Sequence, residues 1–387
     1  MPVCRFQNLL LMEIFIVLVP FIFAIVLGRI IIPYIILVTY KKRLFDPIDH
    51  RKLHSNIIPR LGGVAFAPIQ CCLLVLTLVL IYKTDFLNVH IDVKSWILVP
   101  QFMMLVSGLM ILFILGLADD LIGVSFKLKF FIQIVVASFF PISGLWINDL
   151  YGVGFIIGLN PWVGIPLTIF VTVLIINAIN LIDGIDGLCA GVVMVGCFVL
   201  GILFAYQGAW LHTLFSFITL GVLCPFFNFN VFGTGKRKRK IFMGDTGSMT
   251  LGYSISFLAI SYAMNNQDIK PFSEGAIVVA FSILIVPILD VIRVMIVRFM
   301  IGKHIFKPDR NHLHHKLMRL GLTAKQTLIT IVILVLFFCV FNYIMVNIIS
   351  NNIVLLMDVF LMSMFVFLSN IVSKGIKVKE KHNKIII

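Results

Sequence analysis

The sequence predicts an all-α, polytopic integral membrane protein with about eleven transmembrane helices. Three observations predict it. Of 387 residues, 60% are hydrophobic and 12% are charged, against about 25% charged in a soluble domain. The apolar residues come in blocks of about twenty, the length a helix needs to cross ~30 Å of hydrocarbon. The Lys and Arg residues collect in alternate connections, as cytoplasmic loops do.

Spans are expected at 10–39, 62–82, 97–117, 128–147, 163–180, 188–206, 210–227, 248–264, 274–297, 326–348 and 353–373. The first apolar stretch, Leu9 to Val38, is too long for the core of a cleavable signal and reads as a first span. The connections 40–61, 118–127, 181–187, 228–247 and 298–325 and the tail from Lys374, with Lys129 just inside span four, hold 25 of the 31 Lys and Arg. This bias places the N-terminus outside and the C-terminus in the cytoplasm. It also accounts for the net charge of +14 without a nucleic-acid partner. The chain reads as a single membrane domain, 1–387, with 374–387 as a basic cytoplasmic tail. The seven cysteines follow no disulfide or zinc spacing.

Four constellations on the basic side carry chemistry. Asp119 and Asp120 end span three; two adjacent carboxylates at a membrane surface repel each other and call for a cation or a shared proton. The stretch Asn177–Leu188 follows span five. Asn177 and Asn180 share a helical face, and two Asp-Gly pairs put Asp183 and Asp186 on a sharply turned loop. Amide oxygens and carboxylates suit a hard cation such as Mg²⁺, and they also suit a nucleobase or ribose. Phe242–Ser248 leads into span eight. Ser248 or Thr246 is expected to cap that helix, its free N–H groups to attract phosphate, and Asp245 to hold a metal. Lys307–Lys316 sets Arg310, a fork that matches phosphate, beside His312, His314 and His315. No Cys accompanies this triplet, which argues against zinc.

Each stretch has a plainer explanation: a solvated acidic loop end, a polar turn, a capped helix and a basic loop that meets acidic headgroups. Arg51–Gly63, with Lys52, is a further candidate for phosphate contact, and the basic run Lys236–Lys240 reads equally as a contact for acidic headgroups or as a catalytic stretch. Asp290 and Arg293 are spaced for an intrahelical ion pair.

Together these stretches resemble the polyprenyl-phosphate N-acetylhexosamine-1-phosphate transferases, glycosyltransferase family 4. The resemblance runs from about Asp46 to Gly321, and its four motifs come in the family's order. The stretches Pro308–Leu317 and Arg51–His54 are similar to the bacterial branch that transfers GlcNAc 1-phosphate to undecaprenyl phosphate. The phospho-MurNAc-pentapeptide transferase of peptidoglycan synthesis is the alternative within the family.

The resemblance implies an enzyme of the bacterial cytoplasmic (inner) membrane with its site facing the cytoplasm. It would release UMP from a UDP-N-acetylhexosamine and start a cell-surface glycan, such as cell-wall polymer or O-antigen. It implies Asp119 and Asp120 as the catalytic pair, and Asp245 and Asn180 as ligands of Mg²⁺, with Mn²⁺ as a substitute. Asn177, Asp183, Asp186 and Asn230 would bind the sugar nucleotide. Arg310, His312, His314, His315 and Lys52 would bind phosphate. A homodimer is compatible with it. From another class, a lipid-phosphate transporter or flippase would place ionisable groups near the bilayer midplane, whereas these motifs sit at span ends.

Overall fold

The computed structural model describes residues 2–42, 44, 59–83, 93–234, 239–302 and 311–383, with side chains from 12 to 372 within them except at 93–97. Among these residues the chain forms helices and one isolated bridge, between Asp149 and Gly158. The helices are α1 (Pro2–Lys42), α2 (Phe66–Lys83), α3 (Val93–Ile122), α4 (Phe126–Ala137), α5 (Phe139–Ile142), α6 (Pro161–Ile182) and α7 (Leu188–Tyr206). They continue with α8 (Trp210–Phe227), α9 (Gly244–Ala263), α10 (Ala276–Phe281), α11 (Ile285–Met300), α12 (Leu313–Arg319), α13 (Ala324–Met345) and α14 (Asn351–Asn383).

All eleven expected spans fall on helical segments, and nine of these are long and apolar enough to cross a membrane. The other two differ in instructive ways. Span four is a 12-residue α4 separated at Ser138 from a four-residue α5. At 1.5 Å per residue, α4 reaches only about 18 Å. Span eight is α9, whose Ser, Thr and Gly make it too polar to stand in lipid. It is sheathed in protein instead, and every residue from Thr246 to Ala263 is buried. Three of its hydroxyls are satisfied within the helix: Thr250 donates to Thr246 O at 2.7 Å, Ser254 to Thr250 O at 2.9 Å and Ser256 to Gly252 O at 2.7 Å.

Neighbours reach α9 closely because glycines stand at the crossings. A Cβ on Gly63 would lie 2.1 Å from Gly247 Cα, and one on Gly116 would lie 2.4 Å from Thr246 Cα. Small residues let helix backbones approach where lipid supplies no hydrophobic drive. The helices α3 and α6 pack along α9 in this way, which brings their C-terminal ends to its N-terminus.

Candidate active site

The last turns of α3 carry Asp119 and Asp120. The chain then bends at Gly123, with φ of +73°, and Ser125 caps α4 by accepting from Leu128 N–H. The bend folds Lys129 back onto the end of α3. Asp119 Oδ1 accepts from Val124 N–H at 2.7 Å, and its Oδ2 pairs with Lys129 Nζ. The same ammonium donates to Asp245 Oδ2 at 2.8 Å. One cation therefore bridges carboxylates from α3 and α9.

Asp120 faces the other way. Its Oδ1 accepts from Asp245 N–H at 2.8 Å, and its Oδ2 from Thr246 N–H at 3.0 Å and Thr246 Oγ1 at 2.6 Å. The start of α9 is thus capped by a carboxylate from α3. Neither Thr246 nor Ser248 caps it, contrary to expectation. Two of the N–H groups expected to await phosphate are already taken, because a carboxylate delivered to the positive end of a helix is held strongly. Gly244 makes room for this: φ is +77°, and a Cβ would lie 2.6 Å from Asp120 Oδ2 and 2.2 Å from Arg60 O.

From the end of α6, Asn180 Nδ2 donates to Asp245 Oδ1 at 3.2 Å and to Ser248 Oγ at 2.8 Å. Asn177, one turn earlier, turns to α4 and donates to Gln133 Oε1 at 2.7 Å and to Val173 O at 2.8 Å. Beyond α6 the chain folds tightly. Asp183 terminates the helix, and Gly187, at φ of +78°, opens α7. Asp186 pairs with Lys240 Nζ. Asn230 is buried, with both ends of its amide engaged: Oδ1 accepts from Gly187 N–H at 2.5 Å and Nδ2 donates to Ile241 O at 2.8 Å. Burial pushes the Asp183 carboxyl up to about 7; the nearby Asp245 charge adds to this and Arg60 opposes it.

The histidines reach this loop from α12. His312 stands at the start of that helix, and His314 is buried. A Cβ on Gly184 would fall 2.2 Å from His314 Nε2, so the missing side chain seats the ring against the Asp183–Asp186 loop. Burial, with the neighbouring His315 and His312, lowers His314 to about 3, which leaves it neutral. Its Nε2 has no hydrogen-bond partner. The ring of His315 lies 4.2 Å from that of His314, centre to centre.

The structure therefore gathers Asp119, Asp120, Asn180, Asp183, Asp245 and the histidine loop at one end of α9. Asn177 and Asn230 are engaged beside it, and Lys52 and Arg310 lie outside the described residues. Sequence reasoning missed Lys129, Gln133 and the individual role of Lys240. The signal for Lys129 was its place just inside an expected span, where an ionisable group carries a functional presumption.

The model of glycosyl transferase family 4 matches residues 102–263. A probable undecaprenyl-phosphate N-acetylglucosaminyl 1-phosphate transferase of Bacillus subtilis (strain 168) is 33% identical over 326 residues, 81% of this chain and 81% of its own. The chain belongs to glycosyl transferase family 4. Two further relatives of this family-4 chain are named undecaprenyl-phosphate alpha-N-acetylglucosaminyl 1-phosphate transferase. The Yersinia pestis protein is 30% identical over 76% of this chain and 74% of its own. The Escherichia coli (strain K12) protein is 28% identical with the same coverage.

No group of three or more His, Cys, Asp or Glu forms a ready-made metal cage among the described residues. The donors on offer are hard oxygens on Asp119, Asp245 and Asn180, and a lysine ammonium already sits between two of them. Positive charge is stabilised at that point. Mg²⁺ is usually held by one or two carboxylates together with water and substrate phosphates, so the donor set fits such an ion.

Proposed function

We propose that this family-4 enzyme transfers N-acetylhexosamine 1-phosphate, GlcNAc 1-phosphate first of all, from its UDP-sugar to undecaprenyl phosphate, releasing UMP. The observation that carries the reading is the Lys129 ammonium between Asp119 and Asp245, at a cluster where carboxylates and histidines converge. The relatives' names supply the substrates.

In this reaction a lipid-phosphate oxygen attacks the sugar-bearing phosphorus, and the bond to UMP breaks. Such transfer depends on positioning and charge neutralisation more than on covalent help. Asp119, fixed by Val124 N–H and Lys129, orients the lipid phosphate, which is already charged and needs little activation. Lys129 meets the negative charge of the phosphates. Asp120 holds the start of α9, and with it Asp245, in register with Asp119. Asp245 and Asn180 would hold Mg²⁺, or Mn²⁺ in its place, and the ion would neutralise the diphosphate. The Asp183–Asp186 loop takes the nucleoside side, and the histidine loop takes phosphate oxygens.

The site faces the cytoplasm of a bacterial inner membrane in this reading. UDP-sugars are water-soluble, the prenyl tail stays in the bilayer, and a site at helix ends serves both. Incubating purified protein with radiolabelled UDP-GlcNAc, undecaprenyl phosphate and Mg²⁺ tests it. Label should appear in the lipid phase, and EDTA or Asp245→Ala should abolish it. No lipid product with any UDP-N-acetylhexosamine sinks the proposal.

A further inference from the structure

Asp290 and Arg293 on α11 were expected to pair within their helix, and they do, at 2.6 Å from Arg293 Nη2 to Asp290 Oδ1. They also do something an intrahelical pair does not require. Arg293 Nη2 donates to Asn311 O at 2.7 Å. Asp290 Oδ2 lies 2.9 Å from His312 Nδ1. Leu313 N–H donates to both Asp290 oxygens, at 3.0 and 3.1 Å. Two side chains one turn apart on α11 thus hold three consecutive residues of the histidine loop by carbonyl, ring and amide.

Asp290 and His312 are each only 7% exposed, so water does not offer them ready substitutes. An ionised carboxylate only accepts hydrogen bonds. With Asp290 as its partner, His312 Nδ1 must carry the proton, and the ring's other nitrogen is left for chemistry. The three histidines are not equivalent. His314 packs its Nε2 against Gly184, whereas His312 is oriented from behind by a buried acid. Their rings lie nearly parallel, 4° apart, with centres 6.0 Å apart, so fixing one plane constrains the other.

We propose that Asp290 is a positioning residue for the transfer reaction: it fixes the tautomer and plane of His312 and presents Nε2 to a substrate phosphate. This rests on the function proposed above. With Nδ1 protonated, Nε2 receives the P–O–H proton of a phosphate monoester or, once protonated, donates to a phosphate oxygen. Arg293 holds the loop at the right distance through Asn311 O. Replacing the acid by an amide leaves the shape but lets an N–H face Nδ1, which reverses the tautomer.

The test uses purified full-length protein and the labelled UDP-GlcNAc and undecaprenyl phosphate assay, with thermal midpoints measured in parallel. Asp290→Asn should lower kcat/KM on the order of 10- to 100-fold, the usual cost of losing the outer partner of a working histidine. In a His312→Ala background the same change should cost less than about twofold, because residues acting as a unit are not additive. Asn places its amide near Nδ1 and Gln near Nε2, so His312→Gln should retain more turnover than His312→Asn. A raised KM for undecaprenyl phosphate assigns Nε2 to the lipid phosphate; a raised KM for UDP-GlcNAc assigns it to the diphosphate.

Full turnover in Asp290→Asn overturns the proposal, as do losses that multiply in the double variant. His312→Asn matching or exceeding His312→Gln also overturns it, and that comparison stands even if Asp290→Asn fails to fold. A wild-type protein that makes no lipid product defeats the function itself, not this division of labour.

Discussion

The two ends of α9 are both dense in polar side chains, and they do opposite things with them. Past its C-terminus, Asn148 and Asn265 clasp each other through side chain and backbone: Asn148 Nδ2 donates to Asn265 O at 2.9 Å, and Asn265 N–H donates to Asn148 Oδ1 at 2.8 Å. Asn265 Nδ2 reaches Asp149 Oδ2 at 3.0 Å, and Asn351 Nδ2 reaches Tyr151 O at 2.7 Å. These are mostly neutral amides closing backbone groups. At the N-terminal end, carboxylates from α3, from α9 and from the turn after α6 are brought near one another; Lys129 relieves Asp119 and Asp245, and Arg60 opposes the charge at Asp183. Buried amides that answer backbone groups hold a structure together. Like charges held together store a demand for a cation or a phosphate-bound ion. What separates a site from a clasp is the kind of polar group and what it lacks, not the number of such groups.

The sharpest way to break this contrast is to remove the cation. Lys129→Met leaves Asp119 and Asp245 facing each other unrelieved and should cut lipid product formation by about 10²-fold or more, the scale of losing one electrostatic donor at a reacting phosphate. Turnover within about threefold of wild type would demote Lys129 to packing.

Next in size is Gly184→Ala. The new Cβ would stand 2.2 Å from His314 Nε2, so turnover should fall about tenfold through displacement of the ring. In a His314→Ala background the same change should add little. Equal losses in both backgrounds would mean that the loop itself is damaged.

At the other end, Asn148→Ala and Asn265→Ala should each cost about 1–3 kcal/mol for hydrogen-bonding groups left unmade, read as a lower thermal midpoint. Turnover at 25 °C should stay within about twofold. A severe loss of turnover in a folded variant would extend the site to both ends of α9.

A further effect is one of pH. Asp183 ionises near 7 in the fold against an ordinary value of 3.8. The fold retains its proton where the unfolded chain has lost it, so stability falls as pH rises from about 4 through 7. Asp183→Asn removes that dependence. The thermal midpoint of the variant relative to wild type should therefore be higher at pH 8 than at pH 5, and an unchanged gap would show that Asp183 is not held in its raised state.

How much of this was legible in the sequence depended on rarity. In a chain with so few charges, Asp119, Asp120, Asp183, Asp186 and Asp245 stood out one by one, and so did the three histidines. Lys129 carried only a weak signal, its place just inside an expected span, because basic residues beside a membrane are ordinary. It becomes special only when α4 folds back and sets its Nζ against a carboxylate 116 residues away. The work of Asp290 was half legible. Its pairing with Arg293 follows from helical spacing, but its hold on residues 311–313 depends on where the chain returns after α11. The assignment of Thr246 and Ser248 as caps failed for a related reason: local rules look for a cap within the segment, and here it arrives from α3.

The sequence by itself determined that the chain lives in a membrane, where its helices run and which residues are too polar to be there without cause. Hydropathy and helical period are local quantities, and the bilayer imposes them on every segment separately. Tertiary structure alone decided that α9 is enclosed by other helices, and that Asp119 and Asp120 point to different partners. It alone put one lysine between two aspartates. Those outcomes turn on angles and close approaches between distant segments, set by glycines at helix crossings, and no single stretch of sequence contains them.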